Sequence, residues 1–125
     1  MEEHQSDKTT EPQYRLRSIT SWMEEHLAEA LSLSQLAERA GVSEYHFNRW
    51  FKRTIGLPPS QYQIALRLDR AKRLLRETNL DLIDIANEVG YVNASDFARL
   101  FRKASGMTPN DYRQSLHENE ESLTK

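Results

Sequence analysis

Two short stretches of the sequence concentrate side chains that can bond the edges of bases. In one, Tyr45, Asn48, Arg49 and Lys52 recur at spacings of three, four and seven, with His46 beside them. In the other, Ser95, Ala98, Arg99 and Arg102 follow the same rhythm. On a helix each set makes one stripe. Arginine can bond both acceptors of a guanine edge, asparagine pairs both ways with adenine, and tyrosine or alanine can meet a thymine methyl. Each stretch ends in a basic pair, Lys52–Arg53 and Arg102–Lys103, placed to reach phosphates that set register without carrying sequence. Glu44 and Asp96 are nearly the only acids nearby, and they sit in first turns, where the helix dipole favours them. The opposite stripes, Phe47, Trp50 and Phe51 in the first and Phe97, Leu100, Phe101 and Ala104 in the second, are expected to be buried. A solvated surface charge is the plain alternative for Arg49, and its recurrence as Arg99 counts against it.

That recurrence belongs to a longer repeat. Phe47, Arg49, Phe51, Gly56, Pro59 and Tyr62 return fifty positions later as Phe97, Arg99, Phe101, Gly106, Pro109 and Tyr112. Leu33, Leu36, Ala37 and Gly41 return forty-nine positions later as Leu82, Ile85, Ala86 and Gly90. The one-residue difference falls between Gly90 and Asn93, in a turn, where an insertion costs least. Each copy reads as a short helix, a glycine turn and a longer helix, which is a helix-turn-helix pattern. An ordinary helical hairpin has the same outline, so the outward stripes, not the outline, point to DNA.

Breakers divide the middle of the chain into about seven helices. The first runs from near Pro12 to about Ala30. The second is capped by Ser34 and stopped by Gly41, with Leu33, Leu36 and Ala37 inward. The third runs from a Ser43 cap to Gly56, and the fourth from Pro58–Ser60 to about Thr78. The fifth runs from an Asp81 cap to Gly90, the sixth from an Asn93 cap to Gly106, and a short seventh begins at Thr108–Pro109. The expected fold is all-α: two helix-turn-helix subdomains, 12–66 and 67–113, joined by a long central helix over about 58–78. Roughly twenty residues at 1.5 Å each would span about 30 Å, near the 34 Å turn of B-DNA. Leu68, Ala71, Leu74 and Leu75 form the core stripe of that helix. Arg67, Arg70, Arg73 and Arg76 read as a solvated face, with phosphate contact the alternative. Residues 1–11 and 114–125 read as acidic flexible tails.

Composition narrows the function classes. The 125 residues carry a formal net charge of −2. The first eleven contribute −3 and the last twelve −2, which leaves +3 for residues 12–113. A mildly basic middle between acidic ends is compatible with a nucleic-acid partner. There is no cysteine, hence no disulfide, thiol nucleophile or cysteine-bound zinc. No apolar run approaches membrane-spanning length and no targeting peptide is recognisable, so a cytoplasmic location is expected. His4, His26, His46 and His117 are scattered, and no metalloprotease, phosphate-loop or nucleophile-elbow motif occurs. Catalysis, metals and cofactors are therefore not expected. A pure protein-docking module is the main rival, and salt-dependent retention on DNA separates the two. RNA binding is disfavoured for want of an exposed aromatic platform.

The segment RLDRAKRLLRETNLDLIDIANEVGYVNASDFARLFRKASGMTPNDYR, Arg67 to Arg113, resembles the signature region of the AraC/XylS family of transcription regulators nearly end to end. Leu33 to Tyr62 resembles that family's more variable first unit, and the likeness covers about 100 of the 125 residues. It implies two helix-turn-helix subdomains on a long helix, double-stranded DNA as partner, RNA polymerase as a further one, and activation as the usual outcome. The length of the chain resembles the short stand-alone members, for which a monomer on an asymmetric site is expected, although a domain of a longer regulator is the alternative. By the same resemblance Tyr45, Asn48 and Arg49 fall where the first reading helix meets bases, and Ala94, Ser95 and Arg99 where the second does. The short members have tryptophan in place of Tyr45 and longer polar side chains in place of Ala94 and Ser95, so their target sequence does not transfer. The longer reach of Tyr45, His46, Asn48 and Arg49, against Ala94, Ser95, Ala98 and Arg99, predicts that the first unit discriminates more between bases, while the second contributes more backbone and shape contacts.

Overall fold

A computed structural model of the chain describes residues 16–124, with side chains to residue 118. Among the described residues there are seven helices and no strand. They are α1 (residues 16–25), α2 (Leu33–Ala40), α3 (Glu44–Ile55), α4 (Pro59–Glu77), α5 (Leu82–Glu88), α6 (Ala94–Ser105) and α7 (Pro109–Thr124). The chain divides into two compact units, Met1–Ile64 and Ala65–Lys125, and α4 runs through the boundary. The start near Pro12 and the 1–11 tail lie outside the described residues.

In the first unit Ser32, not Ser34, caps α2. Its hydroxyl accepts from the Gln35 amide at 3.1 Å while the Gln35 side chain accepts from the Ser32 amide at 3.0 Å. This reciprocal box satisfies two otherwise orphaned donors. Gly41 then takes φ 75°, a left-handed turn that any side chain would strain, and the chain re-enters a helix under the Ser43 cap, 3.1 Å from the His46 amide. Phe47 and Phe51 are fully buried with Met23 and Leu36, and Tyr62 meets the Phe51 ring edge-on at 5.4 Å. Burial, then the nearby Glu24 carboxylate, pushes the Tyr62 pKa up, so the phenol stays neutral.

The first helix ends at residue 25 and not near Ala30. The Glu29 amide turns back to the His26 carbonyl at 3.0 Å, and the Leu27 and Glu29 carbonyls both accept from Gln63 Nε2, at 3.1 and 2.7 Å. A tertiary donor thus replaces the next helical turn that Leu27, Ala28 and Glu29 would otherwise support.

The second unit repeats the plan. Asn93 caps α6, accepting from the Asp96 amide at 2.8 Å, and Gly106 closes the helix at φ 86°. Phe97 and Phe101 are fully buried with Ile85 and Val89, and Tyr112 meets Phe101 edge-on at 5.6 Å. Asp81 stands at the N-cap of α5 without a side-chain bond, and Val89 is its C-cap, with Gly90 one residue beyond at φ 100°. Arg113 reaches back to three carbonyls at and beyond the end of α4, Leu75, Thr78 and Leu80, at 3.1, 3.2 and 2.9 Å.

Several expectations give way here. Trp50 and Leu100 are only half-buried and Ala104 is exposed, so the buried stripes narrow to the phenylalanine pairs. Arg67 is not part of a solvated face. It is half-buried, with its guanidinium 5.1 Å from the Tyr91 ring centre. The seventh helix is not short, for residues 114–124 continue it where a tail was expected. Past Arg113 the chain has no glycine or proline, and its glutamates and leucines are good helix formers; acidity alone was a poor guide to disorder.

Candidate nucleic-acid interface

In each unit the buried phenylalanine pair fixes which way the helix turns its other side. With Phe47 and Phe51 inward, Arg49 falls at the middle of the opposite face of α3, flanked by Tyr45 and Lys52 on a helix of 3.6 residues per turn. Tyr45 is 71% exposed, and Arg49 and Lys52 are exposed too. Arg49 donates from one terminal nitrogen to the Tyr45 hydroxyl at 2.9 Å and lies 5.4 Å from that ring's centre. Tyr45, His46, Arg49, Trp50 and Arg53 line one shallow depression. Asn48 is set apart: it is half-buried and lines a different hollow with Met23, Leu36, Pro59 and Gln63.

In the second unit Ser95, Arg99, Arg102 and Lys103 are exposed, while Ala94 and Ala98 are half-buried. Ala98, Arg99, Arg102, Lys103 and Thr108 line an open depression. Ser95, equivalent to Tyr45, is too short to engage Arg99. The Arg99 guanidinium instead pairs with Asp96 at 3.2 Å, and Asp96 in turn accepts from the Asn93 side-chain amide at 3.2 Å.

Sequence reasoning passed over Val92. It stands in the turn before the Asn93 cap and is 89% exposed, the most open large apolar side chain among the described residues. The signal available in the sequence was the extra residue of the second repeat, which falls in this turn. Among the described residues no group of acids and histidines could hold a metal, and no helix is long and apolar enough to cross a membrane.

Two exposed arginine-centred faces, each on the second helix of a helix-turn-helix, are the arrangement of a DNA-binding domain. A helix-turn-helix domain model matches residues 36–115. The chain is 36% identical over 100 residues to the HTH-type transcriptional activator RhaS of Escherichia fergusonii, covering 80% of this chain and 36% of that one. Its fold matches a transcriptional regulator with an AraC-type DNA-binding domain from Chromobacterium violaceum, at TM-score 0.76 and 33% identity over 83% of this chain and 93% of that one. It also matches the DNA-binding domain of AdpA, solved in complex with a target DNA, at TM-score 0.77 and 30% identity over 83% and 94%. The chain belongs to the AraC/XylS-type helix-turn-helix family, whose members are DNA-binding transcription regulators and not enzymes. It spans 28 to 40% of the length of the first curated relatives it matches.

Proposed function

We propose that the chain binds one asymmetric site on double-stranded DNA as a monomer, inserting α3 and α6 into consecutive major grooves, and that it activates transcription from that site. The observation that carries this reading is the doubled face: an exposed arginine opposite a buried phenylalanine pair, at the same register in both units. Tyr45, His46, Asn48 and Arg49 in the first unit, and Ala94, Ser95 and Arg99 in the second, read bases. Lys52, Arg53, Arg102 and Lys103 hold phosphates. Asn48, half-buried on the flank of α3, reads from the edge of that face and not from its centre. Two non-identical heads suit a non-palindromic site, which a two-fold dimer would not.

The name of RhaS, an activator, and the complex of AdpA with its target DNA support the outcome and the ligand. Contact with RNA polymerase accompanies activation in the resemblance drawn above, and action on chromosomal DNA places the protein in the cytoplasm. Selection from random duplex DNA, followed by titration at several salt concentrations, tests the reading. The expected result is a single asymmetric consensus about two helical turns long, bound one to one, with affinity falling linearly in log salt. A palindromic consensus, or retention on DNA without any preferred sequence, would sink it.

A further inference from the structure

The two reading arginines carry different partners, and the difference sets what each can do. At the equivalent places of the repeat, Tyr45, His46 and Arg49 face Ser95, Asp96 and Arg99. Arg49 donates to the Tyr45 hydroxyl at 2.9 Å and not to a carboxylate, so its charge remains available to DNA. Arg99 pairs three residues back with the Asp96 carboxylate at 3.2 Å, while Asn93 gives its side-chain amide to the other carboxylate oxygen at 3.2 Å and accepts from the Asp96 backbone amide at 2.8 Å. The carboxylate is thus held from two sides and holds the guanidinium in turn. The chain Asn93–Asp96–Arg99 is exposed along its length, with the Arg99 and Asp96 side chains 77% and 55% open. The Asp96–Arg99 ion pair therefore contributes little to fold stability and faces whatever the helix meets.

We infer that Asp96 is a positioning residue that makes Arg99 a directional reader of guanine and takes it out of the pool of phosphate-binding charges. A guanidinium offers five donors, and the contact with Asp96 through one terminal nitrogen leaves parallel donors for the two acceptors of a guanine edge. An arginine without a carboxylate partner can also reach a phosphate; one tied to a carboxylate gains less there, because the same carboxylate is repelled by the backbone. Arg99 then adds selectivity at its own base pair at little cost in sequence-blind affinity, whereas Arg49, without an acid on its face, adds to the salt-sensitive grip as well as reading its base. This inference rests on the DNA-reading function proposed above.

The test uses the whole chain on its selected duplex, on single-base variants of it and on random duplex, at several salt concentrations. Arg99→Ala identifies the base pair that Arg99 reads, as the position where preference flattens by about tenfold or more. Asp96→Asn keeps the shape and removes the charge. It is expected to reduce preference at that same pair several-fold, to raise affinity for random duplex, and to steepen the slope of log affinity against log salt by about one. Melting temperature serves as the control for folding. If Asp96→Asn binds with wild-type preference at the pair that Arg99→Ala flattens, the inference is wrong while the reading function stands. If Arg99→Ala flattens no pair, the reading role of Arg99 fails first and this inference with it.

Discussion

Arg49 and Lys52 sit one turn apart on the same exposed face, yet the physics of their targets separates them. Arg49 has a planar fork of donors and the Tyr45 ring and hydroxyl to rest on, which fits a bidentate contact with one base. Lys52 carries a point charge on a flexible stem near the helix end, which suits a phosphate contact. Arg49→Ala is therefore expected to cost about 1–3 kcal/mol on the preferred site and relax preference at one position, with a smaller loss on random duplex. Lys52→Ala is expected to weaken all sequences alike and reduce the salt slope by about one. Equal losses on specific and random DNA for Arg49→Ala would remove it from the reading set. The same titration checks the weighting between heads. With side chains of longer reach on α3, Arg49→Ala should cost more discrimination than Arg99→Ala.

At the scale of elements, the repeat extends into positions where the residue types differ. Gln63 and Arg113 are fifty apart, and both turn back from the first turns of a helix to carbonyls where an earlier helix ends: Gln63 to Leu27 and Glu29, Arg113 to Leu75, Thr78 and Leu80. Each satisfies acceptors that a helix terminus leaves open, and the charged arginine adds a favourable interaction with the dipole at the end of α4. Arg113→Ala is expected to destabilise the second unit by about 2 kcal/mol and Gln63→Ala the first by about 1 kcal/mol. Hydrogen exchange reads this locally, with faster exchange at the end of α4 and in α5 for the first substitution, and around residues 26–30 for the second. An unchanged exchange pattern would mean that water replaces these side chains without loss. The contrast with the rest of the fold is instructive. The phenylalanine pairs, the cap residues Ser43 and Asn93 and the stop glycines 41, 56 and 106 were legible because their reasons are local: period, capping chemistry and positive φ. The Gln63 and Arg113 clamps were not, since nothing within a few residues of either shows which carbonyls it meets. The Asp96–Arg99 pair was visible as a spacing, but its consequence required knowing that Ser95 leaves Arg99 to the acid. The end of α1 was misread for the same reason as the clamps, since Gln63 ends it from far along the chain.

The whole molecule sets a different kind of expectation, because two weak heads on one chain act as one strong binder only when both can reach. On the proposed function, once one unit is seated the other meets its half-site at an effective concentration in the millimolar range, and joint binding exceeds either alone by about 10²–10⁴-fold when geometry allows. The proposed function requires half-sites one turn apart, about 34 Å. Inserting five base pairs between the half-sites rotates one by about half a turn and lengthens the gap by about 17 Å, away from the phase and spacing that the proposed site requires. Affinity is then expected to fall about a hundredfold or more, toward that of the better half-site alone. Inserting ten base pairs restores the phase and not the distance, so binding should stay weak; recovery there would point to a flexible connection in place of a helical one. Unchanged affinity at five base pairs would mean that a single unit reads DNA and the second serves another purpose.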